Sequence, residues 1–189
     1  MENKVNMRAV KYIKRTMLFL LIVVTGIASL TSAPVDTSFD VTTTIAGSNL
    51  MKVSTTQFTG TNKTTFNNLT SFSGLQVTAS GSQTFDAWIS VLSNNRGGYI
   101  LKMNATAMKS SEQGQADAYI NYTVSANSKS VTTTGAAGSS GEQTLVNQGA
   151  MTSPTSSSYK ISLSVDQTSY DNAVSGTYTG TVMFELVTN

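Results

Sequence analysis

Cysteine and histidine are both missing from this 189-residue chain, and proline occurs only twice. Without cysteine no disulfide can staple the fold or link one copy to another, so stability has to come from a core and from strand pairing. Without histidine the commonest general base and the commonest transition-metal ligand are gone, and metal sites built from Cys or His are excluded. Charge is scarce as well, at 12% of residues, and there is a single tryptophan. Long apolar runs are nearly absent. The one clear run, Met17 to Ala28, holds about a dozen residues, whereas a membrane helix needs about 20.

That run follows Lys4, Arg8, Lys11, Lys14 and Arg15, with Glu2 the only acid among them. A basic stretch leading into a short apolar one is the layout of a secretory signal, so residues 1–33 are expected to be a signal peptide cleaved somewhere in 28–33; an uncleaved anchor is the rival reading. The leader carries five of the twelve basic residues and one of the ten acids, leaving seven against nine in the rest. The mature chain is therefore slightly acidic, and its lysines and Arg96 are scattered, which argues against a nucleic-acid partner.

What remains is rich in Ser and Thr, roughly a third of the residues, interleaved with Val, Ile, Tyr and Phe. This is strand composition. Alternation predicts strands over Phe39–Ile45, Leu50–Val53, Phe85–Leu92, Tyr99–Thr106, Ala118–Ser125, Tyr159–Val165 and Thr177–Val187, with weaker candidates at Thr65–Leu69 and Leu75–Ala79. Asn94-Asn95-Arg96-Gly97-Gly98 supplies the positive φ angles of a hairpin turn. In the last strand Tyr178, Val182, Phe184 and Leu186 are expected inward, with Thr181 and Glu185 outward. Two Ser/Thr/Gly-rich stretches, Ser125–Gly141 and Met151–Ser158, are expected to be surface loops or loosely ordered edge segments. Sequons at Asn62, Asn68, Asn104 and Asn121 leave glycosylated linkers as the other reading. Strands at this spacing without a helical period predict an all-β antiparallel sandwich.

No catalytic constellation emerges. The acids sit in turns and on polar faces, where solvated carboxylates are the ordinary outcome. There is no Gly-x-Ser-x-Gly elbow, and Gly135, Gly138 and Gly141 lack the lysine of a phosphate loop. We expect no enzymatic activity, cofactor or metal. Trp88 reads as a core residue, with a sugar-stacking platform as the alternative, and Met103, Met108, Met151 and Met183 read as gap fillers.

Three segments in order carry a family resemblance: Phe39-Asp-Val-Thr-Thr-Thr-Ile45 with Leu50-Met51 after it, the turn Ser93–Gly98 leading into Tyr99–Asn104, and the ending Gly176-Thr-Tyr-Thr-Gly180-Thr-Val182. With the lack of cysteine, they resemble the pilins of the alpha-clade chaperone–usher fimbriae, the class 5 colonisation-factor type. The long Ser/Thr/Gly-rich middle departs from that pattern. The resemblance implies an immunoglobulin-like antiparallel β-sandwich lacking one strand (50–189), completed by an N-terminal donor segment (34–49) from a neighbouring subunit. Phe39, Val41 and Ile45 would be the donor residues, and Tyr178, Val182, Phe184 and Leu186 would border the groove. Implied partners are identical or related pilin subunits, a periplasmic chaperone, an outer-membrane usher and a tip adhesin, on a route through the periplasm to a cell-surface fimbrium. A stand-alone secreted carbohydrate-binding module is the alternative reading of the same strands.

Overall fold

A computed structural model describes residues 40–112 and 116–189. The signal-peptide expectation, and Phe39 with the rest of the donor segment before Asp40, lie outside the described residues. The chain divides into two compact units, Met1–Thr44 and Ile45–Asn189. Of the first, only residues 40–44 are described; they are exposed and have no regular secondary structure.

The second unit is mostly β, and every strand pairing in it is antiparallel. In chain order it runs β1 (Asn49–Ser54), α1 (Lys63–Asn67), β2 (Gly81–Ser82), β3 (Trp88–Ser93), β4 (Tyr99–Ala105), β5 (Met108–Ser110), β6 (Tyr119–Ile120), β7 (Tyr122–Ala126), β8 (Lys129–Thr132), β9 (Gln143–Gln148), β10 (Thr155–Lys160), β11 (Ser162–Val165), α2 (Gln167–Asp171), β12 (Tyr178–Thr179) and β13 (Val182–Thr188). Four sheets result, ordered β1-β3-β10, β13-β4-β9, β2-β11-β7-β8 and β12-β5-β6.

Period-two alternation builds the core directly. On β4, Tyr99, Leu101 and Met103 are fully buried while Ile100, Lys102 and Asn104 on the other face are half-exposed. Ile89 and Val91 of β3 and Tyr122 and Val124 of β7 join the same cluster. β3 is buried on both faces, because the segment after β1 folds over its outer side. There Leu92 meets Phe58 and Phe66, whose rings stand edge to face at 4.9 Å.

Several expectations need correction. Thr65–Leu69 is not a strand: α1 occupies Lys63–Asn67, capped by the Asn62 side chain accepting from the Thr65 N–H at 3.0 Å. Leu75–Ala79 is not a strand: it has no strand partner and no regular secondary structure. Tyr159–Val165 is two strands, because the chain changes sheet at Ile161, passing from β3 as neighbour to β7. Each Ser-rich stretch contains an edge strand, β8 in the first and β10 in the second, while residues 133–141 and 151–154 lie outside strands. β7 and β8 form a hairpin through Asn127 and Ser128, both at positive φ, and hydroxyl pairs Thr123–Thr132 and Ser125–Ser130 bridge its strands at 2.9 and 2.7 Å. β10 pairs fully with β3, and its serines face polar partners: Ser157 the Tyr99 hydroxyl at 2.9 Å and Ser158 the Ser90 hydroxyl at 2.8 Å. A serine-rich run is a stable strand wherever its hydroxyls and backbone groups are satisfied.

Candidate functional site

β13 is hydrogen-bonded to β4 along its whole length, from Val182↔Ala105 to Thr188↔Tyr99. Among the described residues its other edge has no strand partner. At the beginning of β13 lies a groove of about 870 Å³. Val182 and Phe184 of β13, Val53 at the end of β1, Val124, Ile161 and Leu163 are among the residues that line it, together with residues 173–180. No charged residue is among those that line it, though Ser73, Gln76, Ser175, Thr177 and Thr179 are, so apolar side chains and uncharged polar groups share the lining.

Segment 72–77, which has no regular secondary structure, also lines the groove. Phe72, Leu75 and Val77 are half-buried while Ser73, Gly74 and Gln76 are exposed. The segment is pinned at both ends: the Phe72 N–H donates to the Val53 carbonyl at 3.1 Å, and the Tyr170 hydroxyl donates to the Thr78 carbonyl at 3.0 Å. Phe72 stacks obliquely on Phe85 with ring centres 5.8 Å apart. The groove therefore combines exposed apolar side chains with the unpaired backbone of an edge strand, the combination that accepts an added strand.

Of the residues expected at this site, Tyr178, Val182 and Phe184 line the groove, and Leu186 lies further along the same face of β13. All four are half-buried, but the last strand expected over Thr177–Val187 is two: Tyr178 lies on β12 against β5, and the other three on β13, which has a strand neighbour on one side only, unlike β4. Val41 and Ile45 are 84% and 79% exposed. Trp88 is half-buried on β3 and does not line the groove; beside it Lys160 pairs with Asp86 at 3.1 Å. Of the methionines, Met103 and Met151 are buried, Met108 lines the groove and Met183 is exposed. Sequence reasoning missed the 72–77 lining, although the apolar spacing Phe72, Leu75, Val77 was visible.

Tyr122 lines the groove at only 3% exposure, its hydroxyl donating to the Thr181 carbonyl at 3.2 Å. Burial disfavours the phenolate and pushes its pKa from 10.0 up to about 12. Since the folded state holds this proton to higher pH than the unfolded chain, the contribution is constant below pH 10 and is lost as pH rises from 10 towards 12. The loss should amount to about 1 to 3 kcal/mol. In urea unfolding between pH 8 and 11.5, about, Tyr122→Phe should show a shallower decline than the parent; equal declines would show that Tyr122 stays solvated.

The registers also give the domain a direction. At one end lie the start of β1, paired as Asn49↔Ser93, and the finish of β13, paired as Thr188↔Tyr99. The groove lies towards the other end, where β1 finishes at Val53–Ser54 and β13 begins at Val182. The segment leading into β1 therefore meets the domain at the end away from the groove. No helix among the described residues is long and apolar enough to cross a membrane.

The chain matches no protein-family model, no curated protein and no solved structure.

Proposed function

We propose that the chain is a structural subunit that polymerises by strand addition, the 39–45 segment of one copy filling the groove beside β13 of the next, as the resemblance to alpha-clade fimbrial pilins implies. In this reading the domain is an immunoglobulin-like sandwich lacking one strand. The observation that carries it is the pairing, in one molecule, of an uncharged groove lined by Val182 and Phe184 of β13, a strand with one unpaired edge among the described residues, with a segment whose Val41 and Ile45 are exposed. Each is a liability alone, and each covers the other.

Reach favours a neighbour's segment over the chain's own. In an antiparallel sheet a strand added to β13 runs parallel to β1 and leaves the groove at the Val53 end. That end is about 17 Å from Asn49 at ~3.3 Å per residue, while the four steps from Ile45 to Asn49 span about 14 Å at most, and Ala46 and Ser48 are bonded to Asn94 at the opposite end. The segment of another copy has no such limit. The contact is then heterologous, and contacts of that kind propagate into open filaments. A periplasmic chaperone to cover the groove before assembly, an usher, a tip adhesin and a place in a surface fimbrium belong to this proposal as what the resemblance implies.

Val41→Asp tests it. A carboxylate at a donor position would be buried without a partner, so ladders of heat-resistant oligomers on an unboiled gel should fall by more than about tenfold. The soluble subunit should remain at its normal level, because Val41 is exposed in the isolated chain. Undiminished ladders would rule Val41 out as a donor residue, and a parent protein that runs only as monomer would favour the carbohydrate-binding module instead.

A further inference from the structure

The turn between β3 and β4 holds two adjacent asparagines with different roles. Asn95 makes the usual local bond of a turn residue, its Oδ1 accepting from the Gly97 N–H at 3.3 Å. Asn94 instead reaches back 46 to 48 residues. Its Oδ1 accepts from the Ser48 backbone N–H at 2.6 Å and from the Ser48 hydroxyl at 3.1 Å, and its Nδ2 donates to the Ala46 carbonyl at 3.1 Å. Its own backbone N–H donates to the Ser48 carbonyl at 3.1 Å. Both polar atoms of one side chain are thus spent on the residues that precede β1, just beyond the last rung of the β1–β3 ladder at Asn49↔Ser93.

We infer that Asn94 is a positioning residue that fastens residues 46–48 to the domain, so that the free N-terminal segment ends at Ile45 and not at Asn49. Four bonds hold a stretch that has no strand partner, and exposure falls from Ile45, at 79%, to the half-buried Ser48. Resting on the strand-addition reading, this gives Asn94 a second consequence. The stretch 46–48 is the tether between a donated strand and the domain that donates it, and Asn94 removes about 10 Å of slack from it. A fibre joined through a fastened tether bends less than one joined through a free one.

Amide exchange on the purified full chain decides the first part. In Asn94→Ala the Ser48 amide should exchange about tenfold faster, the effect of losing one hydrogen bond, while Val91 in the centre of β3 stays as protected as in the parent. Asn94→Asp keeps the oxygen that accepts from Ser48 but loses the donor to Ala46. It should largely restore Ser48 protection while leaving the bond after Ala46 more open to limited proteolysis. If Asn94→Ala does not accumulate, that split between Ser48 and Ala46 in the aspartate variant carries the test by itself. Unchanged Ser48 exchange in the alanine variant, or unchanged protection at both positions in the aspartate one, overturns the fastening. In electron micrographs, fibres of either variant should have a shorter persistence length than parent fibres; equal stiffness with faster exchange overturns the tether role. If the parent forms no fibres, strand addition is what fails, and the exchange data still decide what Asn94 does.

Discussion

A chain that begins at Asn49 and carries Asp36–Gly47 after Asn189, joined by a short Gly/Ser linker, should be a monomer that melts well above the same truncated chain without the addition. The geometry suits the change. Thr188 pairs with Tyr99 at the end of β13 away from the groove, so a strand following Asn189 can turn back in a hairpin and run antiparallel along the free edge. Tethering also makes the filling unimolecular, at roughly millimolar effective concentration. Burying Phe39, Val41 and Ile45 contributes about 1.5 to 3 kcal/mol each, and the edge of β13 gains ladder hydrogen bonds. A net gain of about 3 kcal/mol raises the melting temperature by roughly 10 °C. Differential scanning calorimetry with light scattering reads both quantities. Equal melting temperatures in two monomeric proteins would mean that the domain needs no further strand, and the strand-addition reading would fall.

Gly98→Ala should be the most damaging single methyl in the domain. Gly98 has φ +91°, and a Cβ there would stand 2.0 Å from the Gln148 carbonyl oxygen and 2.5 Å from that of Gly149. Both obstacles are backbone, so no side chain can swing aside. Strain at positive φ and overpacking together cost about 2 to 5 kcal/mol, a large part of the 5 to 15 kcal/mol that typically holds a domain together. The variant should accumulate poorly and melt roughly 10 °C or more below the parent. Gly60→Ala, also at positive φ (+95°) but with no heavy atom within 4 Å of the added carbon, serves as the control for the backbone effect alone. If the two variants melt together, the close approach at Gly98 is not real.

The elements legible in the sequence are those whose cause is local. β4 and β13 follow from alternation, whereas the 94–98 turn, with Gly98 at positive φ, is a turn but not the expected hairpin, because β3 and β4 pair with other strands in separate sheets. The elements misread are those whose cause lies elsewhere in the chain. Phe66 sits in a Thr/Asn-rich run that favours neither helix nor strand; its burial against Phe58 and Leu92 accompanies the helical turn. β8 and β10 have the composition of loops, and they are strands because β7 and β3 offer complementary edges and hydroxyls.

The same division separates the two halves of the candidate site. The amphipathic character of the 39–45 segment and of β13 is a property of residue order, since side chains two apart share a face, and sequence alone determined it. The missing cysteines likewise determined that pairing and packing must hold the molecule together. The groove was decided only by the tertiary structure. Its lining comes from Val53, Phe72–Val77 and Val182–Phe184, segments more than a hundred residues apart at the extremes, and a strand's unpaired edge is defined by which neighbours the fold places there and which it leaves out. The grip of Asn94 on Ala46 and Ser48 has the same origin, because an asparagine in a turn bonds locally unless the fold brings another backbone within reach.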